Sequence, residues 1–197
     1  MIPNITECIK IMEKHSMLQN IKAHSITVTK VAYMISDFLL KAGEPISMEK
    51  VIAGALLHDI GKTEGLKTGR DHVEIGVKIC LQHGFDEISE LVAEHVILKN
   101  FDPEGKCTEK EIIYYSDKRV NHDKIVTLNE RLEYIIDRYS QGNKYVADAI
   151  RKNFALCQEV EKKLFKKLPF SPDDIPKLAR HIFFDAEKGL IGWNEKL

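Results

Sequence analysis

Cysteine is scarce and scattered: Cys8, Cys80, Cys107 and Cys157 are the only four in 197 residues, and no two form a C-x-x-C pair. That pattern excludes a disulfide framework or a zinc ribbon and predicts thiols packed singly. Glycine (11) and proline (6) are also sparse, and 44% hydrophobic with 30% charged residues is a globular composition, so collagen-like repeats and disorder are excluded. The longest nearly apolar stretch is Val51-Ile-Ala-Gly-Ala-Leu-Leu57, far short of the roughly 20 residues that cross a bilayer, so no membrane partner is expected. The first eight residues, Met1 to Cys8, hold no basic segment followed by an apolar one. No secretory signal is expected, and the cytosol is the expected location. Neither charge is in surplus: 29 Lys and Arg face 30 Asp and Glu, a net charge of −1. Without a global basic field, a nucleic-acid partner is not expected, although a local phosphate site is compatible with this balance.

What is present is helical periodicity along nearly the whole chain. Ile21, His24, Val28, Val31, Ile35 and Leu39 recur at steps of three and four until Gly43-Glu44-Pro45 interrupts them. Ser47 is placed to cap an apolar helix ending near Leu57, and Asp71 to cap one running to about His83-Gly84. Thr63 to Gly69, with two glycines, reads as a loop. Further helices are predicted over 86–98, 108–120 with Glu111 in a capping box, 128–139, 144–168 and 172–187. A polar joint is expected at 121–124, and no strand shows convincing alternation. The length fits one domain, and the fold class expected is all-α.

Some polar residues lie on the stripes that should be apolar. His24 sits between Ile21 and Val28, His95 shares a stripe with Ile88, Leu91 and Val92, and Asp117 is flanked by Ile113 and Val120. His58 and Asp59 end the most apolar helix, where an unpaired carboxylate would cost several kcal/mol. One such histidine is ordinarily a hydrogen-bonded core residue. Several inward imidazoles and carboxylates on neighbouring helices instead make a cage suited to Mn, Fe, Co, Ni or Zn, with Mg admissible.

His24, then His58-Asp59, then Asp117 resembles the H…HD…D signature of the HD superfamily of metal-dependent phosphohydrolases. His58-Asp-Ile-Gly-Lys62 is similar to its HDIG variant, and the resemblance covers about residues 20–135. It extends over Asp71-His72-Val-Glu-Ile-Gly76, Glu94-His95 and Ser116-Asp-Lys-Arg-Val120, as in small stand-alone HDIG proteins. It implies one all-α HD domain over 1–197, with a core at about 20–135 and a helical extension at about 125–197. It also implies that His24, His58, Asp59 and Asp117 hold a first divalent ion. His72 and His95 stand where two-metal members carry the histidines of a second ion, with Asp59 bridging; one ion with an empty second position is the alternative.

A divalent ion acidifies water toward neutrality and neutralises phosphate oxygens, which implies hydrolysis of a phosphoester or phosphoanhydride in a small substrate, best a nucleotide. Lys62, three residues after Asp59, is the candidate for steadying the transferring group; an exposed helix-end lysine is the plainer reading. Arg70, Lys118 and Arg119 flank the proposed ligands and are weaker candidates for a substrate phosphate. The His122-Asp123 pair lies in the polar joint and reads as surface, His15, His83 and His181 find no matching partners, and the basic run Lys162 to Lys167 reads as a solvated helix face. The C-terminal third carries no recognisable chemistry and offers a substrate wall or a homodimer face. Two other readings compete. One is a metal-dependent nucleotide-binding module without turnover, and the other is an all-α interaction protein whose histidines are satisfied by ordinary hydrogen bonds.

Overall fold

The computed structural model describes residues 1–194. Its helices are α1 (Ile5–Lys14), α2 (Gln19–Lys41), α3 (Met48–Leu57), α4 (Lys62–Thr68), α5 (His72–Gln82), α6 (Asp86–Glu94), α7 (Glu109–Lys118), α8 (Leu128–Ser140), α9 (Lys144–Phe165) and α10 (Ile175–Ala179). Two short antiparallel hairpins complete it: β1 (Val120–Asn121) with β2 (Lys124–Ile125), and β3 (Ile182–Asp185) with β4 (Leu190–Trp193). The fold is all-α in character.

The apolar helix α3 lies at the centre, against α1, α2, α6 and α7, because nearly every side is apolar: Val51, Ala53, Ala55, Leu56 and Leu57 are fully buried. The expected caps are present. Ser47 accepts from Lys50 N, Asp71 from Val73 N, and Thr108 pairs reciprocally with Glu111. All four cysteines are buried and free.

Several elements depart from the periodicity reading. Residues 63–69 are not a loop: α4 occupies them and ends where Gly69 takes φ +72°. Gly65 is there for packing, since a Cβ would stand 3.0 Å from that of His72. Helix α6 stops at Glu94 rather than 98, where Glu94 Oε2 takes the amide of Lys99 and Asn153 the carbonyl of Val96. The joint at 121–124 is a hairpin whose tip, His122, has φ +56°. The 172–187 helix reduces to a 3-10 turn and α10 before β3 begins; Asp185 then accepts from the amides of Glu187 and Lys188 to turn the chain into β4. Trp193 packs edge-on against Phe38 and donates to Asp37. Lys163 is not solvated with its neighbours, for its ammonium is buried 2.7 Å from Glu111 and also donates to two carbonyls.

Candidate metal centre

Six side chains from five helices converge. His24 projects from the second turn of α2, His58 and Asp59 follow the last turn of α3, His72 opens α5, His95 caps α6 and Asp117 lies near the end of α7. Asp59 is at their middle. Its Oδ2 lies 3.6 Å from His58 Nε2 and 3.9 Å from His24 Nε2, and its Oδ1 lies 3.7 Å from His72 Nε2 and 3.6 Å from His95 Nε2. Asp117 Oδ1 adds contacts of 3.0 Å to His24 Nε2 and 3.7 Å to His58 Nε2. Two groups result, His24–His58–Asp59 and Asp59–His72–His95, and either is close enough to share an ion. Asp59 belongs to both.

The protons decide what these distances mean. Nδ1 of His24, His58 and His95 each lies 2.7 Å from a main-chain carbonyl, of His122, Ala55 and Val92 respectively. A carbonyl can only accept, so each Nδ1 carries the hydrogen, and a neutral ring then presents a bare lone pair at Nε2. Those lone pairs converge on two carboxylates, an arrangement that repels unless a cation lies between. His58 Nε2 is fully buried and has no hydrogen-bond partner among the described residues. A main-chain carbonyl holding the far nitrogen is the habit of metal-bound histidine. Atoms sharing a divalent ion at about 2.1 Å stand about 3.0 Å apart at right angles and about 4.2 Å apart when opposite, a range that brackets every Nε2-to-carboxylate distance above. The donor set fits a divalent metal.

Charge supports the same fit. Burial alone would raise the Asp59 pKa, but the Lys62 ammonium opposes it and the carboxyl lies well below the usual range. Burial likewise works against Asp117, and the nearby Lys118 charge, 4.0 Å away, helps to hold its carboxyl well below the usual range. Both carboxylates therefore stay ionised. Lys62, at the start of α4, sets its Nζ 2.8 Å from Asp59 Oδ2; burial depresses its pKa, and Asp59 more than restores it.

Burial pushes His58 from 6.5 down to about 4, and lowers His72 in the same direction. Between those values the unfolded chain binds a proton that the folded chain refuses, so the stability due to neutral His58 is complete above pH 6.5 and drains away as the pH falls to about 4. The two aspartates lose their contribution only below that window, near and under 3.8. Stability of metal-free protein from melting curves should be level from pH 8 to 6.5 and then fall toward pH 4 by about 1.4 kcal/mol per pH unit from this group, and His58→Gln should lessen the fall. Equal slopes in both proteins would refute the assignment.

Of the weaker candidates, Lys118 alone comes near the cluster, its Nζ 4.0 Å from Asp117 Oδ2, and Arg119 and Arg70 are engaged elsewhere. Lys118 is 4% exposed, donates to the carbonyls of His95 and Tyr114, and lies 3.6 Å from the Tyr114 ring centre. Arg119 is spent on the Val126 and Pro172 carbonyls, the Tyr115 hydroxyl and Glu161. Arg70 is exposed and paired with Glu64. His15 and His83 do have partners, namely each other, with Nε2 atoms 3.3 Å apart. His122 supplies its carbonyl to the centre, while its ring packs on Tyr134. A cleft of about 610 Å³ opens elsewhere, lined by Lys50, Glu90, Glu94, Glu109 and Lys110, and none of the six residues reaches it.

Periodicity overlooked Arg131. It stands three residues after Leu128 and four before Ile135, on the apolar stripe of α8, and its Nη2 is 3.9 Å from Asp117 Oδ1. The signal was the one that exposed His24: a charge where the stripe should be apolar.

A family model described as the HD domain matches residues 21–141, more than half of the chain and all six converging side chains. The chain belongs to the HD domain family. A tRNA (cytidine(56)-2'-O)-methyltransferase of Picrophilus torridus is 30% identical over 192 residues, which cover 89% of this chain and 50% of that protein. An uncharacterized protein of Methanocaldococcus jannaschii is 33% identical over 84 residues, 43% of this chain and 48% of that one. Ribonuclease Y of Mesoplasma florum is 32% identical over 88 residues, 44% of this chain and 16% of that one. The chain thus spans half or less of the length of these relatives. No solved structure matches it. In this HD domain the motif residues His24, His58, Asp59 and Asp117 form one side of the cluster, and His72 and His95 the other. No helix among the described residues is long and apolar enough to cross a membrane.

Proposed function

We propose that this HD domain is a metal-dependent phosphohydrolase that cleaves a phosphoester or phosphoanhydride of a small compound, a nucleotide being the best fit. The observation that carries the reading is the set of three imidazoles whose Nδ1 protons are tied to carbonyls while their Nε2 lone pairs face two ionised, buried carboxylates. When bound, a divalent ion supplies an acidified water and neutralises phosphate oxygens. His24, His58, Asp59 and Asp117 would hold one ion, and Asp59, His72 and His95 a second.

Asp59 is ionised and accepts only, so it organises the centre and does not serve as a proton donor to the leaving group. Lys62 spends one of its three N–H donors on Asp59 and keeps two for a phosphate oxygen. Its raised pKa keeps it cationic at neutral pH, which suits it to hold developing charge rather than to take up a proton. Two of the named relatives act on or are named for RNA. A net charge of −1 gives this chain no field to follow a polyanionic backbone, which favours a small substrate.

Elemental analysis of protein purified without tag or chelator, with a panel of phosphoesters and a short RNA, tests this. Close to two transition-metal ions per chain are expected, falling to about one in His72→Ala, together with turnover of a small phosphorylated compound. Metal with no turnover of any compound would establish the binding-module reading instead. No metal, and none taken up on reconstitution, would sink both.

A further inference from the structure

Arg131, in α8, is a buried charge that its hydrogen bonding does not account for. Arg131 is 8% exposed, yet among the described residues its five N–H donors make one hydrogen bond, from Nη1 to Asn121 Oδ1 at 3.0 Å. Arg119, twelve residues earlier and 2% exposed, makes four. Nη2 of Arg131 stands 3.9 Å from Asp117 Oδ1, whereas Lys62 closes to 2.8 Å on Asp59. An arginine placed only to neutralise Asp117 would close the gap, because a buried guanidinium gains from a bidentate fork. Its standing off leaves donors for something else.

The side chain is also held in place. Its guanidinium carbon lies 5.6 Å from the Tyr134 ring centre, the His122 ring packs on the same tyrosine at 5.3 Å, and the His122 carbonyl receives the His24 proton. The β1–β2 hairpin therefore fixes Arg131 relative to the metal centre. The charges count in the same direction: Asp59 and Asp117 are faced by Lys62, Lys118 and Arg131, so the protein shell already balances its carboxylates and any ions bound there would leave their own charge for the substrate to meet.

We propose that Arg131 is a substrate-binding residue which, together with Lys62, selects a terminal, dianionic phosphate over an internal, monoanionic diester. This rests on the phosphohydrolase reading and narrows its substrate to phosphomonoesters and compounds with a terminal phosphate.

Calorimetric titration of zinc-loaded protein at pH 8 with inorganic phosphate and with dimethyl phosphate tests the proposal without turnover, with metal content and melting temperature measured on each protein. Wild type is expected to bind phosphate at least tenfold more tightly than dimethyl phosphate. Arg131→Gln, which can still reach Asn121, should keep its zinc and weaken phosphate binding by about 10- to 100-fold, the worth of a charge-assisted hydrogen bond, with little change for the diester. Arg131→Lys should fall between, since one ammonium cannot serve Asn121 and a phosphate with the geometry of the fork. Unchanged phosphate affinity in a folded, zinc-loaded Arg131→Gln would overturn the proposal and leave the phosphohydrolase reading intact. Loss of zinc or of folding in both variants would make Arg131 structural and overturn it equally. A wild type that takes no zinc, or takes it and binds neither probe, would overturn both.

Discussion

Asp59→Asn is expected to empty both metal positions at once and to lower phosphoester turnover at least a thousandfold, about 4 kcal/mol of transition-state stabilisation. The reason is its place in the cluster. Asp59 alone belongs to both groups of ligand atoms, with Oδ2 facing His24 and His58 and Oδ1 facing His72 and His95. His72→Ala removes one ligand from one group, whereas asparagine at 59 removes the shared charge and leaves Lys62 without its carboxylate partner. Metal content and turnover measured together, with circular dichroism to show that the helices persist, check this. An Asp59→Asn protein that keeps two ions would show that the carboxylate is not shared.

Gly61→Ala should be the most damaging small substitution for stability. Gly61 has an ordinary φ of −80°, so the constraint is space and not backbone conformation. A Cβ there would stand 2.2 Å from the His72 carbonyl oxygen, 2.5 Å from Gly76 N and 3.0 Å from Ile75 Cβ, the first two being main-chain atoms of α5 that cannot rotate away. The helix itself must shift, and such overpacking costs about 3 kcal/mol or somewhat more. For a chain of this length that corresponds to a fall of roughly 6–12 °C in melting temperature. Because α5 carries His72, the displaced helix should also release the second ion before the first. Thermal melts and metal content read both effects; an alanine variant that melts like wild type would show that α5 moves freely. The glycine following His58-Asp59-Ile60 is thus accounted for by the close approach of α5 to the end of α3.

Much of the centre was legible because burial of a polar group leaves a trace in sequence. His24, His58, Asp59, His95 and Asp117 interrupt apolar stripes, and the caps at Ser47, Asp71 and Thr108 fixed where three helices begin. His72 is a different case: it opens α5 on a partly exposed face, and only the family resemblance pointed to it. Lys118 and Arg119 misled for a geometric reason. Each helical residue turns about 100° from the last, so Arg119 points toward Glu161, and the Lys118 ammonium, although 4.0 Å from Asp117 Oδ2, is held by the His95 and Tyr114 carbonyls. Helix α4 was hidden because Gly65 and Gly69 signal a loop locally, and close packing on His72 is a long-range fact. The His15–His83 pair spans 68 positions, and nothing in either neighbourhood announces it.

All six ligand side chains lie between residues 24 and 117, but the carbonyl that places the His24 proton belongs to residue 122, at the tip of a hairpin 98 positions further on. A fragment ending at residue 119 would contain every ligand and still lack the group that turns the His24 lone pair inward. During synthesis, the centre therefore becomes competent to capture its ions only after the hairpin has emerged and closed back on α2. Metal uptake, on the proposed reading, would then be a late event in the maturation of this chain, a seal set on the finished fold and not a nucleus around which it forms.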